Sequence, residues 1–161
     1  MKTFATTLIA LLIGVSAFAQ QDFPRNEVSL NLATTAFAQY PEISFERIMA
    51  EDFTIGASLG FRAGGDYVMN FNFTPFARWF FGGRHRETMR GAAAGFFIEA
   101  NTSAYSVWDS PTVSDFGIGL GIGWKYLSLN NWTGELLLGM GRGLTTDTVY
   151  PRVGISIGRR F

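Results

Sequence analysis

Between residues 28 and 161 apolar side chains recur at every second position, and that spacing constrains the fold more than any other feature of the chain. A period of two sends successive side chains to opposite faces of a β-strand. In the clearest case Phe116, Ile118, Leu120, Ile122, Trp124 and Tyr126 alternate with Gly117, Gly119, Gly121, Gly123 and Lys125. The chain closes in the same way: Val153, Ile155, Ile157 and Phe161 share one parity, and Arg152, Gly154, Ser156, Gly158 and Arg160 share the other.

Six more segments follow the rule. Val28, Leu30 and Leu32 alternate with Ser29, Asn31 and Ala33; Ile43 and Phe45 alternate with Glu42, Ser44 and Glu46, before a turn at 49–52. Phe53, Ile55, Ala57, Leu59 and Phe61 oppose Thr54, Gly56, Ser58, Gly60 and Arg62. Met69, Phe71, Phe73, Ala77, Trp79 and Phe81 oppose Asn70, Asn72, Thr74, Phe76, Arg78 and Phe80. Pro75 lies inside this fourth strand and has no N–H to donate, which predicts a bulge or a locally weak pair there. Phe96, Ile98 and Ala100 oppose Gly95, Phe97, Glu99 and Asn101, and Leu136, Leu138 and Met140 oppose Glu135, Leu137, Gly139 and Gly141. Turns or loops are expected at 63–67, 82–90, 109–114, 130–131 and 143–150. No stretch beyond the first 20 residues carries a helical period with matching caps, and the alanine-rich segment 91–94 is too short for one.

Eight such strands fit either a secreted sandwich or a barrel that spans a membrane. A soluble sandwich would bury the apolar parity and show water a face rich in Lys, Thr and Glu. Here the second parity is mostly Gly, Ser and Asn with sparse charges of both signs, which favours apolar residues facing lipid. Aromatics at the strand ends divide into two sets. Phe53, Trp79, Phe81, Trp124, Tyr126, Trp132 and Phe161 form one, and Tyr40, Phe61, Tyr67, Tyr105, Trp108 and Tyr150 form the other. Two rims of aromatic rings suit two membrane–water interfaces.

Residues 1–19 read as a secretory signal: Lys2, an apolar run at 8–15 too short to span a bilayer, and Ala17-Phe18-Ala19 before the cleavage point. A single domain of residues 20–161 is expected after cleavage. Without Lys2 the chain has 12 basic and 13 acidic residues, a balance that argues against a nucleic-acid partner. The absence of cysteine rules out a disulfide framework and a lipoprotein anchor.

The final strand, with its apolar alternation and terminal Phe161, resembles the carboxy-terminal signal of bacterial outer-membrane β-barrels; Arg159 departs from it, standing where an aromatic or aliphatic residue is usual. As a whole the chain resembles the small eight-stranded barrels of Gram-negative bacteria, the type shared by the outer membrane protein A transmembrane domain and outer membrane protein X. The resemblance implies an all-β fold: an eight-stranded antiparallel up-and-down transmembrane β-barrel in the cell outer membrane. It further implies export through the Sec pathway, insertion by the barrel-assembly machinery that reads Val153, Ile155, Ile157 and Phe161, contact with outer-membrane lipid and lipopolysaccharide, and a monomer.

Under that reading the inward parity collects Glu42, Glu46, Arg62, Arg78, Glu99, Lys125, Glu135, Arg152 and Arg160. An unpaired buried charge costs several kcal/mol, so these must pair or meet water. A structural salt-bridge network that plugs the lumen is the plain expectation; a gated ion path, and hence a narrow passive pore, is the sharper one. An eight-stranded barrel is just wide enough for its own side chains, and inward Phe76, Phe97 and Leu137 would narrow it further. Arg142 falls on the outward parity near the outer rim, where a guanidinium can pair with a lipopolysaccharide phosphate; a solvated loop-end arginine is the bland alternative. The outer loops, with Asp66, Trp108, Asp109, Asp115 and Asp147, are short.

Enzymatic readings find little support. His85, the single histidine, sits between Arg84 and Arg86 in a charged turn, away from partners for a Ser-His-acid or metal site. The glycine runs lack the Lys-Ser/Thr and helix of a phosphate loop. No cofactor or metal is expected. A lipid-modifying enzyme and a soluble small-ligand barrel remain the lesser alternatives to a structural or surface-interaction role.

Overall fold

The computed structural model describes residues 24–64, 69–81, 92–107, 110–145 and 147–161, with the backbone alone at 110–114. Its eight antiparallel strands are β1 (Asn26–Asn31), β2 (Glu42–Ala50), β3 (Phe53–Phe61), β4 (Met69–Phe81), β5 (Gly95–Val107), β6 (Ser110–Leu127), β7 (Trp132–Gly143) and β8 (Val149–Arg160). Each pairs with its neighbours in chain order, and β1 pairs with β8 from Glu27↔Arg160 to Asn31↔Ser156. The fold is therefore all-β, a closed up-and-down barrel. Closure unites the two outer edges of the sheet, which would otherwise expose unpaired backbone donors and acceptors.

The alternation decides which face each side chain takes. On β6 Phe116, Ile118, Leu120, Ile122, Trp124 and Tyr126 point out of the barrel and are exposed. Lys125, on the other parity, is buried at 1%. The same division runs through β3, β5, β7 and β8, so the barrel wears its large apolar residues outside and its polar residues inside.

Several local expectations need correction. Residues 32 and 33 do not continue the first strand: a two-turn helix, α1 (Leu32–Ala38), lies between β1 and β2. The Asn31 side chain caps it by accepting from Thr34 N–H at 3.3 Å, and Gln39 ends it in the left-handed region at φ 51°. The signal was Asn31, a favoured N-cap residue, followed by a segment in which alternation lapses. The loop expected at 109–114 is strand from Ser110 onward, because after a register shift beyond Ser106↔Ser114 the β5–β6 pairing resumes at Val107↔Ser110. Pro75 causes no change of register: Phe73↔Ala104 and Phe76↔Asn101 keep one alignment, while Thr74 and Pro75 pair with β3 but have no partner on β5. The weak pair is there and the bulge is elsewhere, between Met69 and Phe71, where it turns Met69 inward against its expected parity.

The two aromatic rims are also unequal. At the end carrying the described termini, Trp79, Phe81, Trp124, Tyr126, Trp132 and Phe161 are exposed on the outer wall, with Phe53 half-exposed beside Trp79 at 6.1 Å. Of the set expected at the opposite end, Phe61 faces out, while Tyr40, Tyr105 and Tyr150 are buried inside with Met69. Tyr105 and Tyr150 share the parity of Asn101 and Arg152, and strand parity outweighs any preference of tyrosine for an interface. Tyr67 and Trp108 lie outside the described residues.

Candidate functional site

The lumen is the site where chemistry-bearing residues converge. Toward one end an apolar layer of Ile48, Phe80, Ala93, Phe97 and Leu137 fills it; toward the other Tyr40, Met69, Tyr105 and Tyr150 do so. Glycines make room for these rings. A Cβ on Gly123 would collide with the Phe97 ring, and one on Gly141 with Tyr150. Bulky residues at either position would push an aromatic out of the lumen.

Through and between these layers runs one connected network of charge. Arg160 Nε donates to Glu27 at 2.8 Å, and Glu27 accepts from Lys125 Nζ at 3.0 Å. Lys125 also meets Glu46 at 2.7 Å and Glu135 at 3.1 Å. Arg78 holds the same two acids, taking Glu135 with both terminal nitrogens at 2.9 Å each and Glu46 at 2.5 Å, and its Nε donates to Glu99 at 2.9 Å. Glu99 accepts in turn from Arg152 at 2.7 Å, and Arg152 reaches Glu42 at 2.7 Å. Every strand except β3 contributes a charged group, and β3 supplies the Ser58 hydroxyl, which accepts from Arg152 at 3.3 Å.

Two further contacts fix the central arginine and the end of the barrel. The Arg78 guanidinium lies 4.2 Å from the Phe76 ring centre and 4.7 Å from that of Phe97, which holds its plane between aromatic faces. Arg160 donates to the carbonyls of Ala92 and Ala93, binding the segment before β5 against the lumen.

Comparison with family models, with curated proteins and with solved structures finds no match for this chain. The site must be read from its own geometry. Of the inward charges expected from parity, Glu42, Glu46, Arg78, Glu99, Lys125, Glu135, Arg152 and Arg160 are all buried and joined in the network. Arg62 is not a buried member: it lies half-buried just past the end of β3, where its N–H donates to Asn70 O at 2.8 Å. The missed member is Glu27, which is 2% exposed and bridges Lys125 and Arg160. Its parity is that of Ser29 and Asn31, so carrying the first alternation one step back would have found it. The network thus has five acids and four bases, the reverse of the expected excess.

Carboxylate oxygens of Glu27, Glu46 and Glu135 come within 4.8 Å of one another, a spacing that suits a cation. Lys125 Nζ contacts all three, so an ammonium group of the chain itself is the cation they surround. A small cavity of ≈ 10 Å³ opens beside Thr34, Tyr40, Asn72 and Tyr150, room for about one water.

Outside the lumen, Val153, Ile155, Ile157 and Phe161 are exposed on the outer wall. Arg142 is exposed too, and its guanidinium pairs with Asp147 at 2.6 Å. Asp115, expected in an outer loop, is buried on β6 and accepts from Tyr105 Oη at 3.2 Å and from Thr145 N–H at 3.1 Å. His85, Asp66 and Asp109 lie outside the described residues, as do residues 1–19, read as the signal peptide.

Proposed function

We propose that this chain is an integral outer-membrane β-barrel with a structural or surface-interaction role, its lumen closed by the charged network. The observation that carries this is the outer wall. Ile43, Phe45, Ile55, Leu59, Phe73, Ile98, Ile118, Leu120, Ile122, Leu136, Leu138, Met140, Val153 and Ile155 are all exposed, between 41% and 68%. Soluble monomers rarely show contiguous apolar patches beyond a few hundred Å². A belt around the whole barrel far exceeds that, and hydrocarbon is the medium that suits it. The polar interior is the counterpart: charges that lipid would reject are satisfied by one another.

The packed lumen favours a plug over a pore, since Arg78 and Arg152 reach across it between two apolar layers. In this reading the protein is not an enzyme, and its partners are membrane lipid, lipopolysaccharide and the barrel-assembly machinery. The test is cell fractionation of the expressed chain followed by electrophoresis with and without boiling. Recovery in the outer membrane and a boiling-dependent mobility shift are expected. Recovery in the soluble fraction would end the membrane reading, and steady single-channel conductance in planar bilayers would replace the plug with a pore.

A further inference from the structure

Outward-facing arginines are rare on this wall, and two of them share one corner. Arg159 on β8 is exposed; across the ladders its partners are Trp132 on β7 and Val28 on β1, both also exposed and outward. Its guanidinium carbon lies 5.7 Å from the Trp132 ring centre, and Ile157 and Phe161 flank it along the strand. Arg47 on β2 pairs with Asn26 and with Ile55, which is exposed on the outer wall, so Arg47 shares that face. From the register, Arg47 stands two strands and two residues from Arg159, or about 12 Å between backbones from ordinary strand spacings. The Arg47 side chain leans toward β1 through Asn26, whereas the Arg159 guanidinium lies by Trp132 on the β7 side, so the two close that span on one phosphate when Arg159 swings over Val28.

Among the described residues neither arginine is neutralised. Among the described residues no carboxylate forms an ion pair with Arg159 or Arg47; Arg47 Nη1 donates to the neutral Asn26 side chain at 3.1 Å. Arg142 at the opposite end is different, because Asp147 already occupies its guanidinium. Glu51 and Asp52, the acids of the β2–β3 turn, make no ion pair with either arginine. The corner also lies within the ring of exposed Trp79, Trp124, Trp132 and Phe161. Indole rings of this kind settle at the headgroup level of a bilayer.

We propose that Arg159, Arg47 and the Trp132 face form a binding site for the phosphate of an anionic glycerophospholipid, in the leaflet that borders the end carrying the termini. The inference rests on the membrane reading and deepens it by naming a lipid class. A guanidinium fork matches a phosphate with two parallel N–H···O bonds. The flanking Val28, Ile157 and Phe161 offer an apolar surface to the acyl chains, which a phosphate ion from solution would not use. The departure of Arg159 from the apolar rule of the last strand thereby acquires a role.

The test uses the full protein reconstituted in phosphatidylcholine vesicles containing spin-labelled phosphatidylglycerol or spin-labelled phosphatidylcholine. The fraction of each label immobilised at the protein is measured for wild type, R47Q, R159Q, the double variant and R142Q, after a boiling-shift gel confirms insertion. Wild type should prefer phosphatidylglycerol, each corner substitution should lower that preference about fivefold, and R142Q should leave it unchanged. If R159Q does not insert, raising the ionic strength on wild type and R47Q should erode the preference in the same way. Equal immobilisation of both labels by inserted wild type, or undiminished preference in the inserted double variant, would overturn the site alone. Full competition by millimolar inorganic phosphate would overturn the lipid assignment in favour of a free ion. A wild-type chain that does not insert at all would overturn this site and the membrane reading together.

Discussion

Arg78 and Arg142 carry the same guanidinium and meet carboxylates at similar distances, yet they do so in opposite surroundings. Arg78 is 3% exposed and touches Glu46, Glu99 and Glu135. Arg142 has 65% of its side chain exposed and, among the described residues, forms an ion pair with Asp147 alone. The bond lengths are nearly equal, so length says little about strength. In water an ion pair exchanges one set of favourable contacts for another; in a closed lumen no water stands ready to replace a lost partner. The difference separates charges that hold the barrel together from charges that merely decorate it.

The largest effect should therefore follow from removing Arg78. An Arg78→Met variant keeps much of the aliphatic length but leaves three carboxylates short of a partner, a loss of about 3–5 kcal/mol for a buried pair broken on one side. The folded barrel, monitored by its boiling-dependent mobility shift in a urea series, should lose a corresponding part of its unfolding midpoint. Adding Glu99→Gln should recover some of the loss, because one uncompensated charge is then gone, with a coupling of about 0.5–3 kcal/mol. Additive losses in the double variant would mean that the two groups do not act as one network.

Asn31 lies between the two arginines in kind. It is buried at 5% but neutral, and its side chain serves three masters: it caps α1 through Thr34 N–H and donates to Glu42 at 3.2 Å and to Val153 O at 3.1 Å. Asn31→Ala should cost about 1–2 kcal/mol, the upper range for a lost N-cap. It should also loosen α1 selectively, read as faster amide hydrogen exchange at Thr34 with little change at the β4–β5 ladder. Equal acceleration in both places would show that α1 and the barrel open as one unit.

Much of this was legible from alternation, and the failures share one physical origin. Parity reports which face a residue takes only while the strand is regular. It sent Glu99, Lys125 and Arg152 to the lumen because β5, β6 and β8 run unbroken through those positions. It failed at Met69, where a bulge inserts a residue and inverts the count, and at Leu32 and Ala33, where Asn31 caps a helix instead of extending the strand. Preference arguments were weaker still. Amphipathic tyrosines were expected on the outer rim, yet Tyr105 and Tyr150 followed their parity inward, where their rings sit 5.3 Å apart and their hydroxyls find Asp115 and Asn101. Which charges pair was not legible at all. Arg78 and Glu135 are 57 residues apart and Arg152 and Glu42 are 110 apart, and only the curling of the sheet into a closed cylinder brings them together.

The smallest effect should come from Arg142, and it tests the contrast most directly. Its pair with Asp147 spans the five-residue separation between the end of β7 and the loop that follows. Such a contact forms easily, but it also forms in competition with water and must order two mobile side chains, so exposed pairs of this kind contribute about 0–1 kcal/mol. Arg142→Ala should leave the urea midpoint nearly where it was, and salt should change the wild type and the variant alike. A loss comparable to that of Arg78→Met would mean that the loop end is shielded from water, and the division between a structural interior and a decorated rim would no longer hold. A small loss would set the rim arginine apart from the lumen arginine by environment alone, since the chemistry and the distances are shared.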